Sequence, residues 1–168
     1  MIHNTHVSQF IPPTAMHYVT GTWSDAAGAV TGTIVKVKAA ADNTATVTIP
    51  ILVPSCSITS TGSKLVSVEV DYEVQTAAMD AVSAAINKVT RGANGADAVV
   101  ASVAFSYDTG HDTAGERIAV DEHRMTLTIT TPTWLDNDDY YLVQLTMDAA
   151  ATSVLHILGA VANFTLRL

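Results

Sequence analysis

From Val66 to Val74 the chain alternates apolar and polar residues without a break, as Val-Ser-Val-Glu-Val-Asp-Tyr-Glu-Val. Successive side chains of a strand point to opposite faces, so a period of two marks a strand with one buried face. Such a strand needs partners of the same kind, and the chain supplies them. Thr44 to Val53 is β-branched and alternating, and its Pro50 cannot donate to a ladder, which places it at an edge or a bulge. In Arg124 to Thr130 the threonines fall on one face and Met125, Leu127 and Ile129 on the other, with Pro132 closing the run. Tyr140 to Met147 and Val154 to Leu166 follow, and Gly159 inside the last run marks a bulge or a close backbone approach. Met16 to Trp23, Thr33 to Ala39 and Ala98 to Tyr107 read as further strands.

The segment Thr76 to Val89 fits two periods. Met79, Val82, Ile86 and Val89 fall at helical spacing, while 81–90 also alternates; the strand is the preferred reading, pairing with Val66 to Val74 across a short connection. Loops are expected at 61–63, 91–95 and 108–112, where Gly and Asn supply turn conformations. No internal repeat or linker divides the 168 residues, so the expectation is one domain over 1–168. Many short strands separated by Gly-containing turns predict an all-β fold. It is an antiparallel β-sandwich, jelly-roll-like, of about eight to ten strands, with residues 1–14 as an extended N-terminal arm.

Composition excludes several classes. Eight Lys and Arg against 16 Asp and Glu give a net charge of −8, and the cations are scattered singly, so no free nucleic acid partner is expected. No apolar stretch reaches the ~18 residues of a membrane span, and the start lacks the basic and apolar regions of a secretory signal. No membrane partner is therefore expected, and synthesis is expected in the cytoplasm. Charged residues are only 14% of the chain, below the ~25% usual for soluble domains, and Thr is abundant. Such a surface is neutral and polar, or covered by other subunits. The single cysteine, Cys56, reads as a small buried hydrophobe or an exposed bystander, and it leaves no disulfide framework within one chain.

Candidate chemistry is sparse. His111, Asp112, Asp121, Glu122 and His123 offer metal-ligand types, but their spacing matches no zinc motif. Neighbouring strand residues also face opposite ways. A solvated loop is the better reading. The acidic run from Asp136 to Asp139 lacks the Gly and Glu of a calcium loop and reads as a turn. No nucleophile elbow, phosphate loop or triad spacing is present, so no catalytic residue, cofactor or metal is expected. Near the N-terminus, Phe10, Ile11, Tyr18 and Trp23 accompany a Pro-Pro pair, which fits either an arm docking on a neighbour or a first strand tucked into its own sandwich.

The run Trp134 to Thr146, with its acidic turn and Tyr140-Tyr141 strand, continues through Ala149 to Thr152 and Leu158 to Leu166. It resembles the C-terminal hairpin of β-sandwich virion proteins of tailed bacteriophages, over about the last forty residues. The resemblance implies a non-enzymatic structural protein of the virion, a homotrimer whose partners are itself and the major capsid protein or other virion proteins. The leading expectation is a capsid decoration or cement protein that stiffens the head through subunit interfaces. The alternative is a receptor- or glycan-binding head of a fibre or spike, with Trp23, Trp134, Tyr140 and Tyr141 stacking on sugar rings. Phe10, Ile11, Tyr18, Trp23, Trp134 and Tyr140 are the partner-contact candidates.

Overall fold

The computed structural model describes residues 4–28, 32–53, 62–135 and 139–167. Twelve strands among them build two antiparallel sheets. They are β1 (Asn4–Ile11), β2 (His17–Thr20), β3 (Trp23–Ala27), β4 (Ile34–Lys38), β5 (Asn43–Ile51) and β6 (Gly62–Gln75), followed by β7 (Ala81–Thr90), β8 (Val99–Val103), β9 (Phe105–Tyr107), β10 (Asp121–Ile129), β11 (Asp139–Ala149) and β12 (Val154–Arg167). The larger sheet runs β3-β4-β12-β6-β10-β9, with β1 also paired to β12; the smaller runs β2-β5-β11-β7-β8. From β4 to β7, and again from β10 to β12, consecutive strands change sheets, the winding of a jelly-roll-like sandwich.

Alternation builds the core between the sheets. Val68, Val70, Tyr72 and Val74 of β6 and Met125, Leu127 and Ile129 of β10 face Val47, Ile49 and Ile51 of β5 and Val143, Leu145 and Met147 of β11. Each such side chain contributes about 1.5–3 kcal/mol by leaving water. Two bulges reset the phase. Between β12 and β6 the register skips Leu158 on one strand and Val66 on the other, so the inward positions of β12 change from Leu155 and Ile157 to Ala160, Ala162 and Phe164. Gly159 takes φ +151°, and a Cβ there would lie 2.7 Å from the Phe10 ring, so it marks both a bulge and a close approach. Pro50 pairs with Leu142 of β11, beyond the end of β2, where its missing N–H breaks no ladder.

Several sequence expectations change. The arm is a strand over its described part, since Asn4–Ile11 pairs with the end of β12. The segment 81–90 is a strand, but it pairs with β11 and β8 in the opposite sheet from Val66 to Val74. The 76–80 connection carries the chain from one sheet to the other, with Met79 buried in the core and Thr76 at φ +71°. Gly62 and Ser63, expected in a loop, begin β6. The run 98–107 changes sheets at Ala104, and 16–23 divides at Gly21, which takes φ +91°. Cys56 and the acidic turn at 136–138 lie outside the described residues. Among the described residues no helix is long and apolar enough to cross a membrane.

Candidate ligand-binding cleft

At one end of the sandwich the smaller sheet opens into a cleft of about 590 Å³, lined by Leu52, Val53, Arg91, Gly92, Ala96, Ala98, Asp139 and Tyr140. Strand register explains the assembly. Leu52 follows β5, Arg91 follows β7, and Tyr140 enters β11 opposite Val89. Below the mouth, Asp139 is buried, its side chain 4% exposed, and accepts from Thr90 Oγ1 at 2.6 Å while Lys88 Nζ lies 2.8 Å away. A charge this deep is tolerated because it is paired and hydrogen-bonded. The wall beyond Arg91 is fixed: a Cβ on Gly92 would lie 2.3 Å from the Ala96 carbonyl oxygen, and Asn94 and Gly95 adopt positive φ. Only a residue without a side chain lets the loop fold back so closely.

Arg91 differs from Lys88. It is exposed and has no hydrogen bond or ion pair among the described residues. The cleft therefore offers apolar walls, the half-buried Tyr140 and one unpaired guanidinium, a donor fork suited to carboxylates and hydroxyls. Sequence reading treated 91–95 as a turn and missed Arg91; an arginine between a strand and a Gly-containing turn was the available signal.

The sequence candidates do not converge. Trp134 is 36% exposed, but its ring is engaged by Arg167, with the guanidinium 4.2 Å from the centroid, and by Lys64 Nζ at 5.1 Å. Ile11 is in the core and cannot anchor a partner; Tyr141 is also buried, so it presents no face to a sugar. Tyr18 and Trp23 pack on each other at 4.7 Å, and their polar atoms donate to the carbonyls of Pro13 and Thr20. Phe10 is 60% exposed and lies over Gly159. Only Tyr140 lines the cleft.

The histidine-rich stretch forms a second cluster, at the other end of the sandwich. His111 Nδ1 lies 2.9 Å from Asp108 Oδ1, His111 Nε2 3.2 Å from His123 Nδ1, and His123 Nε2 2.9 Å from the Ala119 carbonyl. Tyr72 stacks on His123 at 4.6 Å, and Arg117 donates to the carbonyls of Val82 and His111. The loop expected to be solvated is thus pinned down, with a short helix, α1 (Ala114–Ile118), inside it. Asp121 and Glu122 are exposed. Among the described residues no group of three or more ligating side chains is placed to hold a metal. Burial pushes the Asp108 carboxyl up, but hydrogen bonds from the Thr126 N–H, the His111 ring and the Gly110 N–H outweigh it and hold the group below the usual carboxylate value. Lys38, also buried, donates to the carbonyls of Ala39 and Ala41, and burial lowers its ammonium value against the opposing pull of Asp148.

No protein-family model matches the chain, and no curated protein sequence does. Solved structures with similar folds include a carbohydrate-binding module of the β-sandwich superfamily described for promiscuous specificity, at 8% identity and TM-score 0.42 over 94% of this chain and 55% of that one. The chain thus spans about half the length of that structure. Another is the module TmCBM61 in complex with β-1,4-galactotriose, at 10% identity and TM-score 0.39 over 97% of this chain and 88% of that one. A third is the enzymatically active domain of bacteriophage CBA120 tailspike protein 4, at 5% identity and TM-score 0.38 over 95% of this chain and 19% of that one. All three are remote likenesses.

Proposed function

We propose that this domain is a carbohydrate-recognition module that holds a sugar in the cleft at Tyr140 and Arg91 without turning it over. One observation carries the reading: Arg91, unpaired among the described residues, and the aromatic Tyr140 line the same open cleft with the apolar Leu52, Val53, Ala96 and Ala98. A sugar ring has an apolar face to lay against Tyr140 and Leu52 and hydroxyls that accept from Arg91. The carboxylate in the cleft, Asp139, is held by Lys88 and Thr90.

A glycan array followed by titration calorimetry tests this. Arg91→Ala is expected to weaken binding about 10- to 100-fold, the loss of a charged hydrogen bond. Tyr140→Ala is expected to weaken it several-fold or more, with circular dichroism unchanged for both variants. A silent array, or binding indifferent to both substitutions, overturns the proposal.

A second reading, a virion assembly protein, is favoured by the outer face of the smaller sheet. Thr46, Thr146 and Ser83 stand side by side across three strands, with Thr48, Gln144 and Ala85 in the next row. This face carries few charges, as a surface covered by other proteins does. Co-sedimentation with expanded phage heads, without glycan binding, would select it.

A further inference from the structure

We infer that β8 is a pairing edge, through which two copies of this chain join their smaller sheets about a two-fold axis. β8 hydrogen-bonds to β7 on one side only and ends the sheet. Its other side therefore presents a row of unpaired backbone donors and acceptors among the described residues. Folded proteins usually blunt such an edge with lysine, proline or a bulge. Val99–Val103 has none of these, and Val99 and Val100 are 64% and 61% exposed.

The occupant is indicated by the sequence. Residues 98–104 read Ala-Val-Val-Ala-Ser-Val-Ala, nearly the same in both directions. An antiparallel copy centred on Ala101 matches Ala98 with the partner's Ala104, Val99 with the partner's Val103 and Val100 with the partner's Ser102. Ala101 then lies against the partner's Ala101. A two-fold through a residue pair satisfies the ladder whichever set of backbone groups points outward, because each residue's donor and acceptor meet the same pair from the other chain. No like charges face each other, and the exposed valines gain cross-strand neighbours. The two five-stranded sheets become one of ten strands. This pairing does not rest on the cleft reading, although Ala98 borders both, and it is a dimer rather than the trimer expected from the phage resemblance.

Sedimentation and light scattering over a range of concentrations provide the test. The mass is expected to rise from 17.6 kDa toward twice that value. Val100→Lys combined with Ser102→Lys sets lysines opposite each other and is expected to raise the dissociation constant more than tenfold with an unchanged melting temperature. In a Cys56→Ser background, Ala101→Cys is expected to cross-link to itself on oxidation. Ala98→Cys is expected to cross-link only when mixed with Ala104→Cys. A monomer at every concentration, a trimer, a folded lysine variant that still dimerises, or self-cross-linking of Ala98→Cys as fast as Ala101→Cys overturns the inference. So does capture of an added extended peptide by a chain that does not self-associate, which would assign the edge to a different partner.

Discussion

His111 Nε2 and His123 Nδ1 lie 3.2 Å apart, midway along a line of contacts running from the Asp108 carboxylate to the Ala119 carbonyl. The carboxylate at one end and the carbonyl at the other can only accept, so the ring nitrogens facing them, His111 Nδ1 and His123 Nε2, are the donors. These contacts tie the excursion between β9 and β10 onto the sandwich.

Asp108 titrates below its ordinary value, so its contribution to stability is fully present above the unfolded value of about 4 and is lost as pH falls through the lower folded value. Asp108→Asn is expected to cost about 1–3 kcal/mol at neutral pH. It is also expected to flatten the fall in melting temperature as the pH drops below about 4. Thermal melts across that range check this, and parallel curves for the two proteins would contradict it.

Gly159→Ala forces an L side chain to φ +151°. The Phe10 ring is exposed and can swing aside, so the cost lies in the backbone, about 1–3 kcal/mol. Urea unfolding of the single and double variants is the check: Phe10→Leu should recover little of the loss. A full recovery would instead place the cost in the ring contact.

Lys88 and Asp139 form a pair in which the carboxylate is buried and the ammonium is partly exposed. Lys88→Met leaves that carboxylate with fewer partners, at a cost of about 1–3 kcal/mol. Asp139→Asn in the same background is expected to recover part of this, because it removes the charge. Chemical denaturation of the four members of the cycle measures the coupling.

Of the five tyrosines, Tyr18, Tyr72 and Tyr141 have phenols pushed up by burial. Asp25 adds to the effect at Tyr18, Arg117 opposes it at Tyr72, and the Thr133 hydroxyl opposes it at Tyr141. A raised folded value means stability fully present below about pH 10 and lost as pH rises through it. In an alkaline absorbance titration these three are expected to ionise only as the protein unfolds. Tyr72→Phe should move the alkaline transition upward while losing about 0.5–1.5 kcal/mol at neutral pH, since its hydroxyl donates to the Arg117 carbonyl.

Alternation made the strands legible because burial on one face imposes a period of two. Val66 to Val74 and Tyr140 to Met147 lie within β6 and β11, and Arg124 to Thr130 overruns β10 by one residue. Partners were not legible, since pairing depends on which layer a strand enters. Nothing local in 81–90 distinguishes β11 from β6 as a neighbour. The bulge at Val66 was hidden because its side chain continues the alternation of the residues after it, while the ladder skips it. The cleft was half legible: Tyr140 was a candidate on aromatic grounds. Arg91 became visible only when the ends of β5, β7 and β11 were brought together.

Asn4–Ile11 pairs with the last strand, matching Ile11 to Ala160 and Asn4 to Arg167. During synthesis at about 5–20 residues per second, β1 leaves the ribosome on the order of ten to thirty seconds before its place exists. No local partner can hold it meanwhile. Its composition suits the delay: Asn4, Thr5, His6, Ser8 and Gln9 are polar, and the large apolar pair Phe10 and Ile11 comes last, next to Pro12. A strand of alternating valine and isoleucine at this position would wait as an exposed aggregation segment. The earliest strand to appear is therefore among the last to dock, and its polar residues keep it soluble until the sheet is ready.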